Sequence, residues 1–240
     1  MQQQIYRQWK RWRRIDQWID RILLIFLLGA LAIILALITG HIQLVAKGLG
    51  SGDAPDFENL CAINKDTVAW LSIEDTAIAH PVVQGKDNFE YLDKAFTGEF
   101  YAGGTLFLDA GNKKDFSDAY NIIYGHHMAG GAMFGDLDRF LEPEYLKTHQ
   151  KGLLQTPEWD WDLRVLKAEN YNAYDGRVFS AGARLPINVR SKKGSKQKIL
   201  ALSTCTDEMN DDRTVVFFRM EYQRRHEKQQ KNDGTTEAGR

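Results

Sequence analysis

Short apolar runs, separated by polar and glycine-containing stretches, dominate the chain between residues 56 and 222. Runs of this length that are rich in Val, Ile, Leu and aromatic residues are typical of β-strands. Because few helical patterns fill the intervals, the pattern favours a mainly β fold, a closed or nearly closed β-barrel, over a doubly wound sheet. The predicted strands are Val68–Ile73, Ile78–Val83, Thr105–Leu108, Asn121–Tyr124, Gly152–Gln155, Leu163–Ala168, Ile199–Thr204 and Thr214–Met220.

Short helices are predicted at some of the connections. Phe57–Ile63 and Phe89–Lys94 each carry a short helical pattern. One or two further helical turns are predicted over Gly135–Tyr145, with a break at Pro143 because proline has no N–H group to donate. These helices are short, so the predicted fold remains mainly β.

A longer apolar stretch precedes this domain. Residues 22–38 carry no charged or strongly polar side chain, and the stretch stays uncharged at neutral pH as far as residue 46. An apolar helix of about 20 residues spans the hydrocarbon core of a bilayer. Residues 22–46 are therefore predicted to form a transmembrane anchor. Basic residues precede it at Arg7, Lys10, Arg11, Arg13, Arg14 and Arg21.

The charges on either side of this stretch set its orientation. Residues 1–21 form a basic segment, whereas Lys47 is followed by acidic residues. The positive-inside rule then places the N-terminus in the cytoplasm and the domain outside the cell. A cleaved signal peptide is the alternative, but its apolar region is only about 7–15 residues long and ends at a small-residue cleavage site. A buried core helix agrees poorly with the basic residues at its start.

Composition completes the division into segments. The chain has 240 residues, 43% of them hydrophobic, and a formal net charge of −1. These values fit one globular domain with appendages and give no general signal for nucleic acid as a partner. Residues 47–55 are rich in glycine and small polar residues and are predicted to be a linker. Residues 56–222 form the domain, and the polar residues 223–240 are predicted to be a disordered tail.

The chain contains two cysteines, Cys61 and Cys205, without the spacing of a disulfide framework or a zinc finger. A single disulfide between them stays open, although Cys61 is better explained as a small buried residue of the first helix. Cys205 ends an apolar strand, and Arg213 opens the next strand after an acidic loop. A cation near a thiol favours the thiolate and can donate hydrogen bonds to an oxyanion. The alternative for Arg213 is pairing with the acidic residues of its loop.

A catalytic thiol also needs a proton partner. His126 and His127 follow a strand that ends in Gly125, and they open a glycine-rich loop, where sites are commonly built. A shared metal ion is a weaker alternative, because adjacent residues of a strand point to opposite faces. The other histidines are predicted to be structural or solvated: His41, His80, His149 and His226.

These motifs resemble those of the sortases, the cysteine transpeptidases of Gram-positive bacteria. Leu202–Cys205 followed by Arg213–Val216 resembles the Cys/Arg signature of that family. Asn121–His126 resembles its catalytic-histidine strand, and the continuation as far as Leu137 is particularly similar to class B. The resemblance covers residues 66–222, essentially the whole predicted domain.

The resemblance implies an eight-stranded sortase-type β-barrel and a thiol-protease type of chemistry. Cys205 would be the nucleophile, His126 the general acid and base, and Arg213 the residue that stabilises substrate and oxyanion. Ser203 and Thr204 would line the substrate groove beside the thiol. The resemblance implies no cofactor and no metal.

The resemblance also implies partners and a location. Such an enzyme cleaves a C-terminal sorting pentapeptide of secreted proteins at Thr, keeps the acyl group as a thioester on Cys205, and transfers it to a peptidoglycan amine. A pilin lysine is the alternative acceptor. The catalytic domain would lie outside the cell membrane, and the single-pass anchor would hold it at the lipid bilayer. Nucleic acid is not expected as a partner.

One segment departs from class B, whose members usually carry a long helix between the sixth and seventh strands. Tyr171–Lys198 is short and interrupted by Gly, Pro and Ser, so no long helix is predicted there. Because this connection shapes the substrate groove in the family, the sequence leaves open which pentapeptide is recognised. A pilin-joining role also stays an alternative. His127 occupies a position that the family does not use in catalysis. Two other classes stay open: a cysteine peptidase that only hydrolyses, and a membrane-tethered binding domain with an inert cysteine.

Overall fold

The computed structural model describes residues 24, 27–31, 34–35, 55–128, 131–180, 198–205 and 211–225, with the backbone alone for residues 205 and 222–225. The chain divides into two compact units, Met1–Asp56 and Phe57–Arg240. In the part of the chain that is described, no helix is both long and apolar enough to cross a membrane. Most of the predicted anchor (22–46) and of the linker (47–55) lies outside the described residues, as does the tail after residue 225.

In the second unit the described residues form strands and a few short helices. In chain order these are α1 (Phe57–Ile63), β1 (Thr67–Ile73), β2 (Ala79–Val83), β3 (Leu106–Leu108), β4 (Tyr120–His126), a 3₁₀ helix (Leu137–Leu141), α2 (Pro143–Thr148), β5 (Lys151–Gln155), β6 (Trp159–Asn172), β7 (Lys198–Cys205) and β8 (Asp212–Arg225).

The strands close into a barrel in the order β1-β2-β3-β4-β7-β8-β6-β5. Neighbouring strands run antiparallel, except that β2 pairs with β3 and β4 pairs with β7 in parallel. Closure gives each strand a partner on both sides and so removes the open edges of a sheet. The predicted mainly β, eight-stranded barrel is confirmed, with every predicted strand in its place.

β6 and β8 are much longer than the sequence predicts, with 14 residues each. β6 and β8 pair along their full length, and Trp159–Trp161 lies opposite Gln223–Arg225. Residues 223–225 therefore belong to β8 and not to the predicted tail. Their polar side chains carry no strand signal, because it is the backbone of β6 that supplies their hydrogen-bond partners.

The helix predicted over Phe89–Lys94 is wrong, because these residues form turns. The carboxylate of Asp87 accepts the N–H of Phe89 at 3.0 Å. The carbonyl of Tyr91 accepts from the N–H of Thr105 at 3.1 Å. Side-chain capping and this distant backbone partner replace the hydrogen bonds of a helix.

Alternate strand residues build two apolar clusters. The barrel core takes residues from all of the strands. The second cluster takes strand residues from β2, β3, β4, β7 and β8, together with Tyr91 and Val178 of the connections. On β4, Ile123 belongs to the barrel core, while Ile122 and Tyr124 belong to the second cluster. The second cluster therefore covers one outer side of the barrel, which we call the groove face.

The helical segment after β4 packs onto the barrel core through Leu137, Phe140 and Tyr145. Pro143 is the first residue of α2, where the missing N–H costs no helical hydrogen bond. The predicted interruption at Pro143 is confirmed, and it falls between the 3₁₀ helix and α2.

Candidate active site

The parallel pair β4–β7 brings together two residues that are distant in the sequence. The register runs from Tyr120 opposite Ile199 to His126 opposite Cys205. Both strands end at this pair. The predicted proton partner and the predicted nucleophile are therefore direct neighbours at the same end of the barrel.

The antiparallel pair β7–β8 adds Arg213 to this place. Leu202 lies opposite Val216, and Ser203 lies opposite Val215. Cys205 lies two residues beyond Ser203 at the end of β7, and Arg213 lies two residues before Val215 at the start of β8, so continuation of this register sets the two positions opposite each other. The two-residue period of a strand assigns Arg213, like Val215, to the groove face.

The Arg213 side chain lies against an aromatic ring. Its guanidinium carbon is 5.6 Å from the ring centroid of Phe179, a distance at which a cation is attracted to the ring face. Phe179 follows Val178, which is buried and whose carbonyl accepts a hydrogen bond from the Tyr120 hydroxyl at 2.9 Å. The segment after β6 is therefore fixed on the groove face and supplies one wall beside Arg213.

The backbone around His126 is tightly held. The carbonyl of His126 accepts a hydrogen bond from the N–H of Phe134 at 3.0 Å. A Cβ at Gly125 would collide with the side chain of Leu106 and would lie 2.8 Å from the ring of Phe134. Only glycine fits between these side chains without a shift, which gives the Gly before His126 a packing reason.

The two adjacent histidines have different surroundings. The Nε2 atom of His127 lies 3.0 Å from a carboxylate oxygen of Asp138, whereas His126 is the one in register with Cys205. Asp138 lies in the 3₁₀ helix, and its other oxygen accepts a hydrogen bond from the Thr214 hydroxyl at 2.6 Å. The sequence gives no signal for Asp138, because its partners come from β8 and from the end of β4.

A buried carboxylate lies behind the groove face. Asp109 accepts hydrogen bonds from the Tyr124 hydroxyl and the Asn88 amide, both at 2.9 Å, and from the N–H of Gly111 at 2.8 Å. Burial, and then the charge of Asp109, raise the pKa of Tyr124 far above its usual value. Tyr124 therefore stays a neutral hydrogen-bond donor, and it lies close enough to Arg213 for that charge to act weakly in the opposite direction.

Three comparisons bear on the family. Residues 71–221 match the model of the Sortase domain. The chain belongs to the sortase family. Sortase B of Listeria monocytogenes is 42% identical over 167 residues, which cover 64% of this chain and 68% of that protein. Sortase B of Staphylococcus aureus is 30% identical over the same shares of the two chains.

The fold of this protein resembles that of solved sortase structures. A class B sortase of Streptococcus pyogenes involved in pilus biogenesis has a TM-score of 0.63 and 32% identity, over 69% of this chain and 98% of that one. A Staphylococcus aureus sortase B–substrate complex has a TM-score of 0.60 and 28% identity, over 69% of this chain and 84% of that one. The protein is a class B-like sortase and hence a cysteine transpeptidase.

In this sortase Ser203 and Thr204 are both fully buried. Ser203 pairs with Tyr124 of the groove face, and Thr204 pairs with Gly125. Strand alternation places Thr204 with Leu202 of the barrel core and Ser203 on the other side. The two side chains therefore lie on opposite faces of β7, and their substrate-binding role stays a prediction.

Cys61 lies apart from this arrangement, on α1. It is a free thiol and only half-buried, so the single disulfide left open by the sequence does not form in this structure. Burial raises the pKa of the Cys61 thiol. That shift disfavours the nucleophilic thiolate, as expected for a structural cysteine.

Proposed function

We propose that this sortase joins secreted proteins to an amine at the outer face of the cell membrane, with Cys205 as the nucleophile. The observation that supports this most directly is the register that sets His126 opposite Cys205, with Arg213 on the next strand. A nucleophile, a proton carrier and a cation at one end of a barrel are the parts that acyl transfer needs.

In the proposed reaction the Cys205 sulfur attacks the Thr carbonyl of a C-terminal sorting pentapeptide. A C–S bond forms, the peptide C–N bond breaks, and His126 gives its proton to the departing amine. The second amine then attacks the thioester, while His126 takes up the proton that this amine loses and the thiolate leaves. Arg213 donates hydrogen bonds to the oxyanion of each tetrahedral intermediate.

Transfer competes with hydrolysis, since water can also attack the thioester. The wall beside Arg213 that Phe179 forms, together with the closely packed groove face, supports exclusion of water from the thioester. Exclusion of water and good placement of the amine both favour transfer. A peptidase that only hydrolyses would use the same residues, so the products decide between the two.

Residues 22–46 form the proposed transmembrane anchor, with residues 1–21 in the cytoplasm and the catalytic domain outside. The apolar stretch and the basic residues before it support this. The test is to separate membranes from the soluble fraction by sedimentation. We expect the full chain to sediment with the membranes and a chain that starts at residue 47 to remain in the soluble fraction. A truncated chain that still sediments with membranes would contradict it.

Mass spectrometry of peptide products tests the reaction. The enzyme is first screened against a library of fluorogenic pentapeptides that each contain Thr. The peptide that is cleaved best is then incubated with the enzyme and triglycine. We expect an amide product with triglycine and the free acid without it. A free acid at every triglycine concentration would favour the peptidase that only hydrolyses.

Three variants test the residues. We expect Cys205→Ala to abolish cleavage, and His126→Ala and Arg213→Ala each to lower kcat/KM by about 10²–10⁴-fold, the usual contribution of a proton carrier or an oxyanion donor. Cys61→Ala and Arg164→Ala are the matched controls, because Cys61 lies on α1 and Arg164 is exposed on β6. Wild-type cleavage by Cys205→Ala would rule out Cys205 as the nucleophile, whereas no cleavage by the wild-type protein itself would favour a binding domain with an inert cysteine.

The acceptor amine has a second candidate, a pilin lysine. The similarity to a Streptococcus pyogenes sortase involved in pilus biogenesis, which this chain covers over 98% of its length, favours testing it. Residues 173–180, directly after β6, form turns, and the remainder of that connection lies outside the described residues. In competition between triglycine and Nα-acetyl-lysine amide, preferential transfer to the lysine would favour pilin joining, and preference for triglycine would favour the wall.

A further inference from the structure

Asp138 links the chain neighbours of two proposed active-site residues. One carboxylate oxygen lies 3.0 Å from His127 Nε2, and the other accepts the Thr214 hydroxyl at 2.6 Å. His127 follows His126 at the end of β4, and Thr214 follows Arg213 at the start of β8. One side chain thus holds both strand ends.

The strand order of the barrel gives this link a role that the backbone hydrogen bonds do not fill. β7 lies between β4 and β8, so the backbone ladders of β4 and β8 run to β7 and not to each other. The Asp138 carboxylate joins these two strands through side chains, across the end of the strand that carries Cys205. The mutual placement of His126 and Arg213 therefore depends on more than the backbone ladders.

The link approaches from the side opposite to the groove face. Thr214 is 1% exposed, and it alternates with Val215 of the groove face. Its hydroxyl also lies 3.0 Å from Asn170 Oδ1 on β6. Since its partners lie away from the groove face, Asp138 holds the site without needing to touch a peptide bound there.

The element that carries Asp138 is firmly anchored. Leu137 and Phe140 on the same 3₁₀ helix are almost completely buried in the barrel core. The other partner is fixed as well, because His127 forms a β-bridge with Met133. A carboxylate on a packed helix can hold its partners more accurately than one on an exposed loop.

We propose that Asp138 is a positioning residue of this sortase, which keeps His126 and Arg213 in their working arrangement through His127 and Thr214. The inference rests on the roles proposed above for His126 and Arg213. A displacement of about 1 Å in an active site can cost about 10²-fold in rate. Loss of the carboxylate should therefore slow the chemical step and leave peptide binding nearly unchanged.

The test is the kinetics of Asp138→Asn with the best-cleaved peptide of the library and triglycine. We expect kcat to fall about tenfold or more and KM to stay within about twofold. Glu142→Gln is the matched control, since it removes an exposed carboxylate next to the same 3₁₀ helix, and it should keep the wild-type kcat. Wild-type kcat in Asp138→Asn would overturn the proposal.

Thr214 supplies the second half of the test. Thr214→Val removes the hydroxyl but keeps the shape, and we expect a similar loss of kcat, which Thr214→Ser should restore. Asp138→Asn combined with Thr214→Val should be no slower than the slower single variant, because residues that act through one link are not additive. Fully additive losses, or a rise in KM equal to the fall in kcat, would overturn the positioning role.

The two proposals fail in distinguishable ways. If Cys205→Ala, His126→Ala and Arg213→Ala lose activity while Asp138→Asn and Thr214→Val do not, only the positioning role is wrong. If His126→Ala and Arg213→Ala keep wild-type activity, the proposed catalytic roles are wrong, and the positioning role falls with them.

Discussion

Gly125 is a single residue whose identity is explained by the packing around it. The space for a side chain is taken by Leu106 and Phe134, and the next residue is His126. Gly125→Ala should therefore destabilise the protein by about 1–3 kcal/mol, the usual cost of overpacking a core. Thermal or chemical denaturation measures this change.

Gly176→Ala is the matched control, because an added Cβ there would meet nothing within 4 Å. We expect its free energy of unfolding to change by no more than about 0.5 kcal/mol. Equal destabilisation by the two variants would show that close packing is not the reason for glycine at 125.

His80 provides a second prediction for a single side chain. Burial lowers its pKa, and within the described residues its buried Nε2 has no hydrogen-bond partner. The unfolded chain takes up this proton below about pH 6.5, whereas the folded protein resists it. The free energy of unfolding should therefore fall as the pH drops from 7 to 5, by at most about 1.4 kcal/mol per pH unit for one proton.

His80→Leu should remove this part of the pH dependence. The difference between variant and wild type is measured by chemical denaturation at pH 5, 6, 7 and 8, and it should change below pH 7 but not between pH 7 and 8. The lowered pKa values of Glu90 and Glu169 act at lower pH, below about 4.5, and in both proteins. Parallel curves for the two proteins over the whole range would contradict the prediction.

At the scale of elements, the segment after β6 is the one to test. Phe179 faces the Arg213 guanidinium, an interaction worth about 0.5–1 kcal/mol or more when it is shielded from water. Phe179→Leu keeps an apolar side chain but loses the ring, so kcat/KM should fall about three- to tenfold. Steady-state cleavage of the best-cleaved peptide measures this.

Tyr174→Leu removes an aromatic ring from the same segment and serves as the control. Tyr174 is 81% exposed, so its replacement should leave kcat/KM within about twofold of wild type. An equal loss in both variants would mean that the segment acts as a whole, and the contact between Phe179 and Arg213 would not explain it.

Element boundaries also show where a sequence pattern stops being informative. The strands with clear apolar runs were predictable, because each run reports burial on at least one side. The ends of β6 and β8 were not, since Trp159–Trp161 and Gln223–Arg225 hold each other through the backbone. Phe89–Lys94 has a helical pattern, but side-chain capping by Asp87 and a distant backbone partner turn it into a series of turns.

At the scale of the whole molecule, barrel closure builds the candidate site. The crossing from β4 to β7 places two distant strands in parallel, and β8 returns alongside β7. His126, Cys205 and Arg213 thus reach one end of the barrel although they come from separate strands. The apolar stretch before the domain is a separate feature of the chain.

The sequence by itself determined the barrel class, the strands and the three residues proposed for catalysis. Apolar runs report burial locally. Each of the motifs around His126, Cys205 and Arg213 is a short continuous segment, so it can be recognised without knowing the fold. Only the tertiary structure decided which strands are neighbours, why residue 125 is glycine, and that Asp138 contacts both His127 and Thr214. These depend on contacts between distant segments, and a local pattern carries no information about its partners.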